Sequence, residues 1–140
     1  MKIMVCGSMT FAKEMLEAQK VLTSLGHTVN VPCGTQDHIE GITANEDLEA
    51  NAKYCIETDV MRRCFALVAD AEGVLVLNYP KNGIDGYIGV SALMELGLAH
   101  YLRKKIFLLY PIPSFAQARW SHEVSIFQPT IIRGDFTKVC

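Results

Sequence analysis

The sequence lacks the charge pattern, the long apolar runs and the leader segment that mark several large classes of protein. Thirteen basic and fifteen acidic residues give a net charge of −2 without any basic stripe, so we expect no nucleic-acid partner. The apolar runs are about as long as a strand and stop at polar or proline residues, which argues against a membrane partner. The start, Met1–Gly7, is too short for a signal peptide and predicts a first strand instead.

Paired cysteines and spaced metal ligands are missing as well. The five cysteines are an odd number and include no C-x-x-C motif, so a disulfide framework is not expected and a cytoplasmic location is predicted. The four histidines are scattered without metal-ligand spacing. The glycine-rich stretch Gly83–Gly89 is neither G-x-G-x-x-G nor a Walker A loop. We therefore expect neither a metal nor a cofactor.

Apolar residues are plentiful: half of the 140 residues are hydrophobic, enough for a single domain over residues 1–140. Predicted strands and helices alternate along the chain, which predicts a doubly wound, flavodoxin-like five-stranded parallel sheet with helices on both faces. The predicted strands are Lys2–Cys6, Thr28–Pro32, Val74–Leu77, Lys105–Tyr110 and Thr130–Ile132, and the predicted helices are Phe11–Leu25, Glu46–Val68, Gly89–Leu102 and Phe115–Ser125.

Two predictions concern the middle of the chain. The segment Cys33–Asn45, rich in Gly, Thr, Asp and Asn, is predicted to be a long loop, and such loops are often functional. The helical stretch Glu46–Val68 is predicted to bury one side, formed by Leu48, Ala52, Cys55, Ile56, Met61, Phe65 and Val68.

One acidic residue stands apart from the others. Glu95 is the only formally charged residue between Asp85 and Arg103, and it lies in an apolar helix that follows a glycine-rich loop. Loss of water disfavours a carboxylate and raises its pKa, and such acids at the strand-end crevice of an α/β sheet are functional candidates. The alternative is an ordinary acid in the first turns of a helix, stabilised by the helix dipole.

Several loop residues are expected near Glu95, because ligands bind beyond the carboxyl ends of parallel strands. Gly7-Ser8-Met9-Thr10 could cradle a phosphate or sugar hydroxyl at a helix N-terminus, or could be a simple turn. The loop Asn78–Gly89 offers Asp85 as a second carboxylate, Tyr87 to orient Glu95, and Gly89 for close approach of a ligand. Asp59 on the preceding helix is another candidate acid. Solvated surface acids are the more common case for both Asp59 and Asp85, and the loop glycines could equally be turn residues.

These residues resemble the nucleoside 2-deoxyribosyltransferase family, which also contains the 2'-deoxynucleoside 5'-monophosphate N-glycosidases. The matching segments span most of the chain. They are Cys6–Phe11, Gly73–Asn78, Asn82–Ala99 with the core Met94-Glu95-Leu96-Gly97, and Lys104–Leu109. The most specific feature is the combination of Gly-Ser in the first segment with Glu-Leu-Gly in the third, at the separation that they have here.

The resemblance implies roles for individual residues. Glu95 would be the catalytic nucleophile, Gly7, Ser8 and Met9 would belong to the ligand-binding loop, and Asn78 would end the strand that borders the pocket. The family often has an aspartate on the helix before the third strand. This chain has Cys64 at that position and Asp59 over a turn earlier.

The family also builds its pocket across a subunit interface, which implies a homo-oligomer, a dimer or higher. Trp120 and Ser121, in the segment after the fourth strand, are the candidates to lend contacts to a partner. The alternative is that Trp120 covers the core of its own subunit.

The sequence thus favours an enzyme that cleaves or exchanges the N-glycosidic bond of a nucleoside or nucleoside 5'-monophosphate, acting on a small molecule without a cofactor. The alternative is a non-catalytic nucleotide-binding module on the same fold, which would have little use for a desolvated acid at position 95. A flavodoxin-like electron carrier fits less well, because the loops supply few aromatic residues to enclose a flavin.

Overall fold

Five parallel strands form one sheet in a computed structural model of the protein, which describes residues 1–41 and 47–140. The strand order is β2-β1-β3-β4-β5, the flavodoxin-like order. The predicted fold class is therefore confirmed. The strands are β1 (Lys2–Cys6), β2 (Thr28–Asn30), β3 (Gly73–Val76), β4 (Lys105–Leu108) and β5 (Thr130–Ile131).

The helices cover both faces of this sheet, as the alternation of elements requires. The α-helices are α1 (Ala12–Ser24), α2 (Thr35–Ile39), α3 (Leu48–Thr58), α4 (Val60–Asp70), α5 (Val90–Tyr101) and α6 (Ser121–Ile126). Short 3-10 turns occur at Met9–Phe11 and Phe136–Lys138. Along the described parts of the chain, no helix combines the length and the apolar character needed to cross a bilayer.

Two hydrophobic cores arise because successive side chains of a strand point to opposite faces of the sheet. Ile3 and Val5 of β1 pack with α1 on one face. Met4 and Cys6 pack on the other face with α4, α5 and Val124 of α6. The second core reaches Glu95, because Ala92, Leu96 and Ala99 of α5 belong to it.

The middle of the chain differs from its prediction. The predicted loop 33–45 contains the short helix α2, in which the Thr35 hydroxyl donates to Pro32 O at 2.6 Å. The predicted helix 46–68 is two helices, because Asp59 adopts a left-handed conformation with φ of 51° between α3 and α4. Residues 42–46, which include the end of the predicted loop and the start of the predicted helix, lie outside the described residues.

The predicted buried side of this stretch is also largely wrong. Only Val68 of the seven residues is fully buried, and α3 contributes no buried side chain. Leu48 is 78% exposed and Ile56 is 80% exposed. Four of the seven instead face a pocket beside the sheet: Leu48, Cys55, Met61 and Phe65. A stripe of apolar residues at helical spacing indicates a surface shielded from water, and here much of that surface belongs to a pocket.

The predicted helix 115–125 begins later than expected. Its regular part is α6, and a single turn precedes it in which Ser114 Oγ accepts from Gln117 N at 3.2 Å. Ser114 thus caps this short turn as an N-cap serine does, but the chain enters a regular helix only at Ser121.

A buried amide fixes the loop that links β3 to α5. Asn78 is fully buried, accepts from Tyr110 N at 2.9 Å and donates to Tyr110 O at 2.8 Å. Gly86 approaches the same region with φ of 74°, and a Cβ atom there would collide with Pro111 O. These contacts therefore hold together the end of β3, the β3–α5 loop and the end of β4, at the edge of the sheet where the loops after the strands begin.

Candidate active site

A pocket of about 590 Å³ opens at the carboxyl ends of the strands. Its walls come from the loop after β1, the loop after β2, helices α3 and α4, the loop after β3 and the first turns of α5. Its size falls in the usual range for small-molecule sites, roughly 300–1,000 Å³. The structure thus brings together six of the sequence-predicted residues: Gly7, Ser8, Met9, Tyr87, Gly89 and Glu95.

Glu95 is the acidic group at the deep side of this pocket. The residue is 8% exposed, and its Oε2 atom has no hydrogen-bond partner among the described residues. Burial raises the pKa of the Glu95 carboxyl above its ordinary value of 4.5, and the neighbouring Cys6 side chain acts in the opposite direction. A carboxylate that is poorly hydrated and has a free oxygen is poised to bond to a ligand.

Thiols surround the carboxylate on the protein side. Cys6 is buried, and its pKa is raised first by desolvation and then by the charge of Glu95. Burial likewise raises the pKa of Cys64 to about 11, against the lowering effect of a backbone hydrogen bond from Cys33. Both groups are therefore neutral thiols at neutral pH, and they add no negative charge beside Glu95.

The positively charged side chain of Lys81 lines the pocket beside the loop after β1. Lys81 Nζ donates to Ser8 Oγ at 2.9 Å, and Ser8 Oγ also accepts from Thr10 N at 3.3 Å. Lys81 forms no ion pair within 4.0 Å among residues 1–41 and 47–140. A lysine held near a hydroxyl without a carboxylate partner is available to an anionic ligand.

The first turn of α5 and Tyr87 form another wall. Gly89 caps α5 without a side-chain hydrogen bond, and the next residues, Val90 and Ser91, also line the pocket. The free N–H groups of a helix N-terminus favour negative charge. Tyr87 lines the pocket and is held by an edge-on contact with Trp120, with ring centroids 6.2 Å apart.

Four sequence-predicted residues are not brought into the pocket. Asp59 is exposed at the α3–α4 junction and pairs with Arg62 at 3.1 Å. Asn78 is occupied by the backbone of Tyr110. Asp85 is exposed and lines a separate groove, and Ser121 is fully buried with no hydrogen-bond partner for its hydroxyl among the described residues.

Lys81 is the main pocket residue that the sequence reasoning missed. It precedes Asn82 and Gly83, whose φ values of 54° and 72° form a turn closed by paired backbone hydrogen bonds between Lys81 and Ile84. Asn-Gly is the strongest short-range signal for such a turn, so the sequence did contain a clue to how Lys81 is held. Tyr54 also lines the pocket, and no sequence pattern singled it out, whereas Cys33 begins the loop that was predicted to be functional.

Within the described ranges, no group of three or more His, Cys, Asp or Glu side chains is arranged to hold a metal ion.

Comparison with known proteins gives a likeness of fold. No protein-family model matches the sequence, and no curated protein matches it. A solved structure of a 2-deoxyribosyltransferase from Bacillus psychrosaccharolyticus, described as a suitable biocatalyst for the industrial synthesis of nucleosides, is similar with a TM-score of 0.50 and 22% identity. The match covers 81% of this chain and 75% of that chain. At this level of identity the likeness shows a shared fold.

The burial of Glu95 predicts a pH-dependent effect of Glu95→Gln on stability. Because the folded-state pKa is raised, ionisation of Glu95 destabilises the folded state at pH values above the ordinary pKa of 4.5. We expect Glu95→Gln to increase the free energy of unfolding near pH 7, and the gain to shrink as the pH falls towards 4.5 and to stay constant below it, where the carboxyl is protonated in both states. Urea denaturation across this range measures it, with the exposed Glu17→Gln as the matched control. A gain independent of pH would contradict the prediction.

Proposed function

We propose that this protein cleaves or exchanges the N-glycosidic bond of a nucleoside 5'-monophosphate, with Glu95 as the nucleophile. The observation that carries the proposal is a buried glutamate with a free oxygen in a pocket at the carboxyl ends of the strands. The fold shared with a 2-deoxyribosyltransferase agrees with it.

The proposed chemistry has two steps on the anomeric carbon of the sugar. A Glu95 oxygen forms a bond to this carbon, while the C–N bond breaks and its electron pair leaves with the base, which takes up a proton. Water or a second base then attacks the same carbon, and the ester bond breaks to restore the carboxylate. A carboxylate stabilises the positive charge that develops on the sugar and then bonds to it.

The apolar and aromatic side chains of the pocket suit a base. Met61 and Phe65 of α4, Tyr54 of α3 and Met9 of the loop after β1 line the pocket and offer contacts to a flat ring. Tyr87 is proposed to orient Glu95 or to donate a proton to the leaving base. Asp59 has no part in the proposal, because it is exposed and paired with Arg62.

The phosphate is assigned to the end of the pocket that contains Lys81. Lys81, the Ser8 hydroxyl and the N-terminus of α5 all line the same pocket, and each favours an anion. A phosphate would replace Ser8 as the partner of the Lys81 ammonium. The chain would then discriminate between a monophosphate and the corresponding nucleoside.

Glu95→Gln is expected to lower the rate of free-base release by a factor of about a thousand or more, the effect expected for loss of a nucleophile. The amide preserves the shape of the side chain but is not an anionic nucleophile. The measurement is chromatography for free base after incubation with a panel of nucleosides and 5'-monophosphates, with Glu17→Gln as control. Ligand binding without base release by the wild-type protein would favour the non-catalytic nucleotide-binding module.

Lys81→Met is expected to raise KM for a nucleoside 5'-monophosphate by roughly tenfold to a hundredfold, the effect of losing one charged hydrogen bond. The corresponding nucleoside should be affected little, because it carries no phosphate. Lys20→Met, on the exposed side of α1, is the matched control. An equal effect on both substrates would remove Lys81 from phosphate recognition.

A homodimer is proposed through the exposed apolar rim of the pocket, formed by Leu48, Met61 and Val90. Val90 is 70% exposed and Met61 is 45% exposed, and exposed apolar residues that cluster around a pocket indicate an interaction surface. Trp120 does not enter this proposal, because it packs against the core of its own chain.

Val90→Asp is expected to convert the dimer to a monomer in light scattering, because a charge in an apolar interface is poorly solvated. Val21→Asp is the matched control, since Val21 is an exposed valine of α1 away from the pocket. A wild-type protein that is monomeric at micromolar concentration with intact activity would refute a site shared between subunits.

A further inference from the structure

A glycine in the loop after β2 allows an aromatic side chain of α3 to come close to that loop. Gly34 has a left-handed conformation, with φ of 85°, directly before α2. A Cβ atom at this position would lie 2.9 Å from the hydroxyl oxygen of Tyr54 and 3.9 Å from its Cζ atom. The first distance is shorter than a van der Waals contact, so any other residue at position 34 would displace the Tyr54 hydroxyl.

The loop side of this contact is firmly held. Thr35 is 2% exposed, and its backbone N–H and its hydroxyl both donate to Pro32 O, at 3.2 and 2.6 Å. The Gly34 carbonyl accepts from His38 N at 2.9 Å. The helix α3, in contrast, contributes no buried side chain. A side chain added at Gly34 would therefore move Tyr54 rather than the loop, because the less stable element yields first.

Gly34 and Tyr54 lie at one end of the pocket that contains Glu95. Both residues line it. The strand order places β1 between β2, which precedes Gly34, and β3, which precedes Lys81. Neighbouring strands are spaced by about 4.8 Å, so the loops after β2 and β3 begin roughly 10 Å apart. A nucleotide whose phosphate binds Lys81 and whose sugar reaches Glu95 can therefore extend its base towards Tyr54.

We propose that Gly34 is a positioning residue that holds the ring of Tyr54 against the base of the bound nucleotide. This inference deepens the proposed function and rests on it. The Tyr54 ring contacts the base, and neither the sugar nor the phosphate. Stacking on an aromatic ring stabilises a bound base, and the ring provides this contact only where its position is fixed.

The first experiment separates contacts with the base from contacts with the sugar phosphate. Calorimetry compares 2'-deoxynucleoside 5'-monophosphates with 2-deoxyribose 5-phosphate, which has no base, in the Glu95→Gln protein so that no bond is cleaved. Adding Tyr54→Ala is expected to raise Kd for the nucleotides by about tenfold to a hundredfold, the range for loss of stacking on a base. Kd for the sugar phosphate is expected to change by less than about twofold. An equal loss for both probes overturns the inference.

The second experiment tests the role of Gly34. In the same background, Gly34→Ala is expected to raise Kd for the nucleotides by about threefold to thirtyfold. Combined with Tyr54→Phe, it is expected to have little effect relative to Tyr54→Phe alone, because the remaining Cζ atom at 3.9 Å is an ordinary contact. Backbone strain at position 34 is the same in both cases, so an undiminished loss overturns the role of Gly34.

Gly26→Ala is the matched control for backbone strain. Gly26 also has a positive φ, of 94°, and a Cβ atom there would meet no atom within 4 Å among the described residues. The substitution therefore introduces a strained alanine without a collision. It is expected to lower stability and to leave Kd for the nucleotides unchanged. A loss of affinity equal to that of Gly34→Ala would assign the effect to strain and overturn the inference.

Urea denaturation tests the close approach without any ligand. Gly34→Ala is expected to lower the free energy of unfolding more when introduced alone than when added to Tyr54→Phe, because only the hydroxyl collides with the added methyl group. Equal losses would mean that the two side chains do not meet, and would overturn the inference. If Gly34→Ala does not fold, recovery of folding by Tyr54→Phe supports the contact. If neither protein folds, Tyr54→Ala decides through the two probes.

The outcomes distinguish this inference from the proposed reaction. An absence of base release by the wild-type protein, with a base-specific loss of affinity in Tyr54→Ala, overturns the reaction and leaves Tyr54 as a contact of the base. Base release by the wild-type protein, with equal losses for nucleotide and sugar phosphate in Tyr54→Ala, overturns the inference and leaves the reaction intact. A wild-type protein that binds no nucleotide overturns both.

Discussion

Dehydration of the Glu95 carboxylate is the constraint on which the arrangement of the site depends. The group lies on an apolar face of α5, in the same core as Leu96 and Ala99, where water does not stabilise its charge. The neighbouring thiols of Cys6 and Cys64 remain neutral and do not oppose ionisation. The fold thus maintains a buried acid at the expense of its own stability.

The parallel sheet makes this arrangement possible. Strands that run in one direction release their following loops at one edge, so segments far apart in sequence meet there. The Asn78 amide then ties the end of β3 to Tyr110 after β4, and the glycine at position 86 permits the close approach to Pro111. Lys81 and Tyr87 are consequently carried by a loop that is held at both ends, as a precise binding site requires.

The sequence predicted those features that depend on strong local patterns. Short apolar runs, separated by stretches with helical periodicity, identified all five strands and the fold class. The isolation of Glu95 in an apolar helix predicted its burial, which the structure shows at 8% exposure. These signals are reliable because each one reflects burial of a whole element rather than the position of a single side chain.

Other features depended on tertiary contacts that no local pattern contains. The break at Asp59 is a single left-handed residue, and periodicity continues across it. The apolar residues of α3 were expected in the core because periodicity identifies a shielded face without saying what shields it. Lys81 was overlooked because its role depends on Ser8, which is 73 positions away in the sequence.

The helix α3 has a consequence for the thermodynamics of ligand binding. It lines the pocket with Leu48 and Tyr54 but has no buried side chain of its own, so few apolar contacts hold it against the sheet. Elements of this kind have low local free energies of unfolding. A ligand that contacts α3 adds to its stability, so the affinity of the pocket depends on the stability of this helix. A substitution at the exposed Ile56, which does not line the pocket, would therefore alter affinity through helix propensity alone.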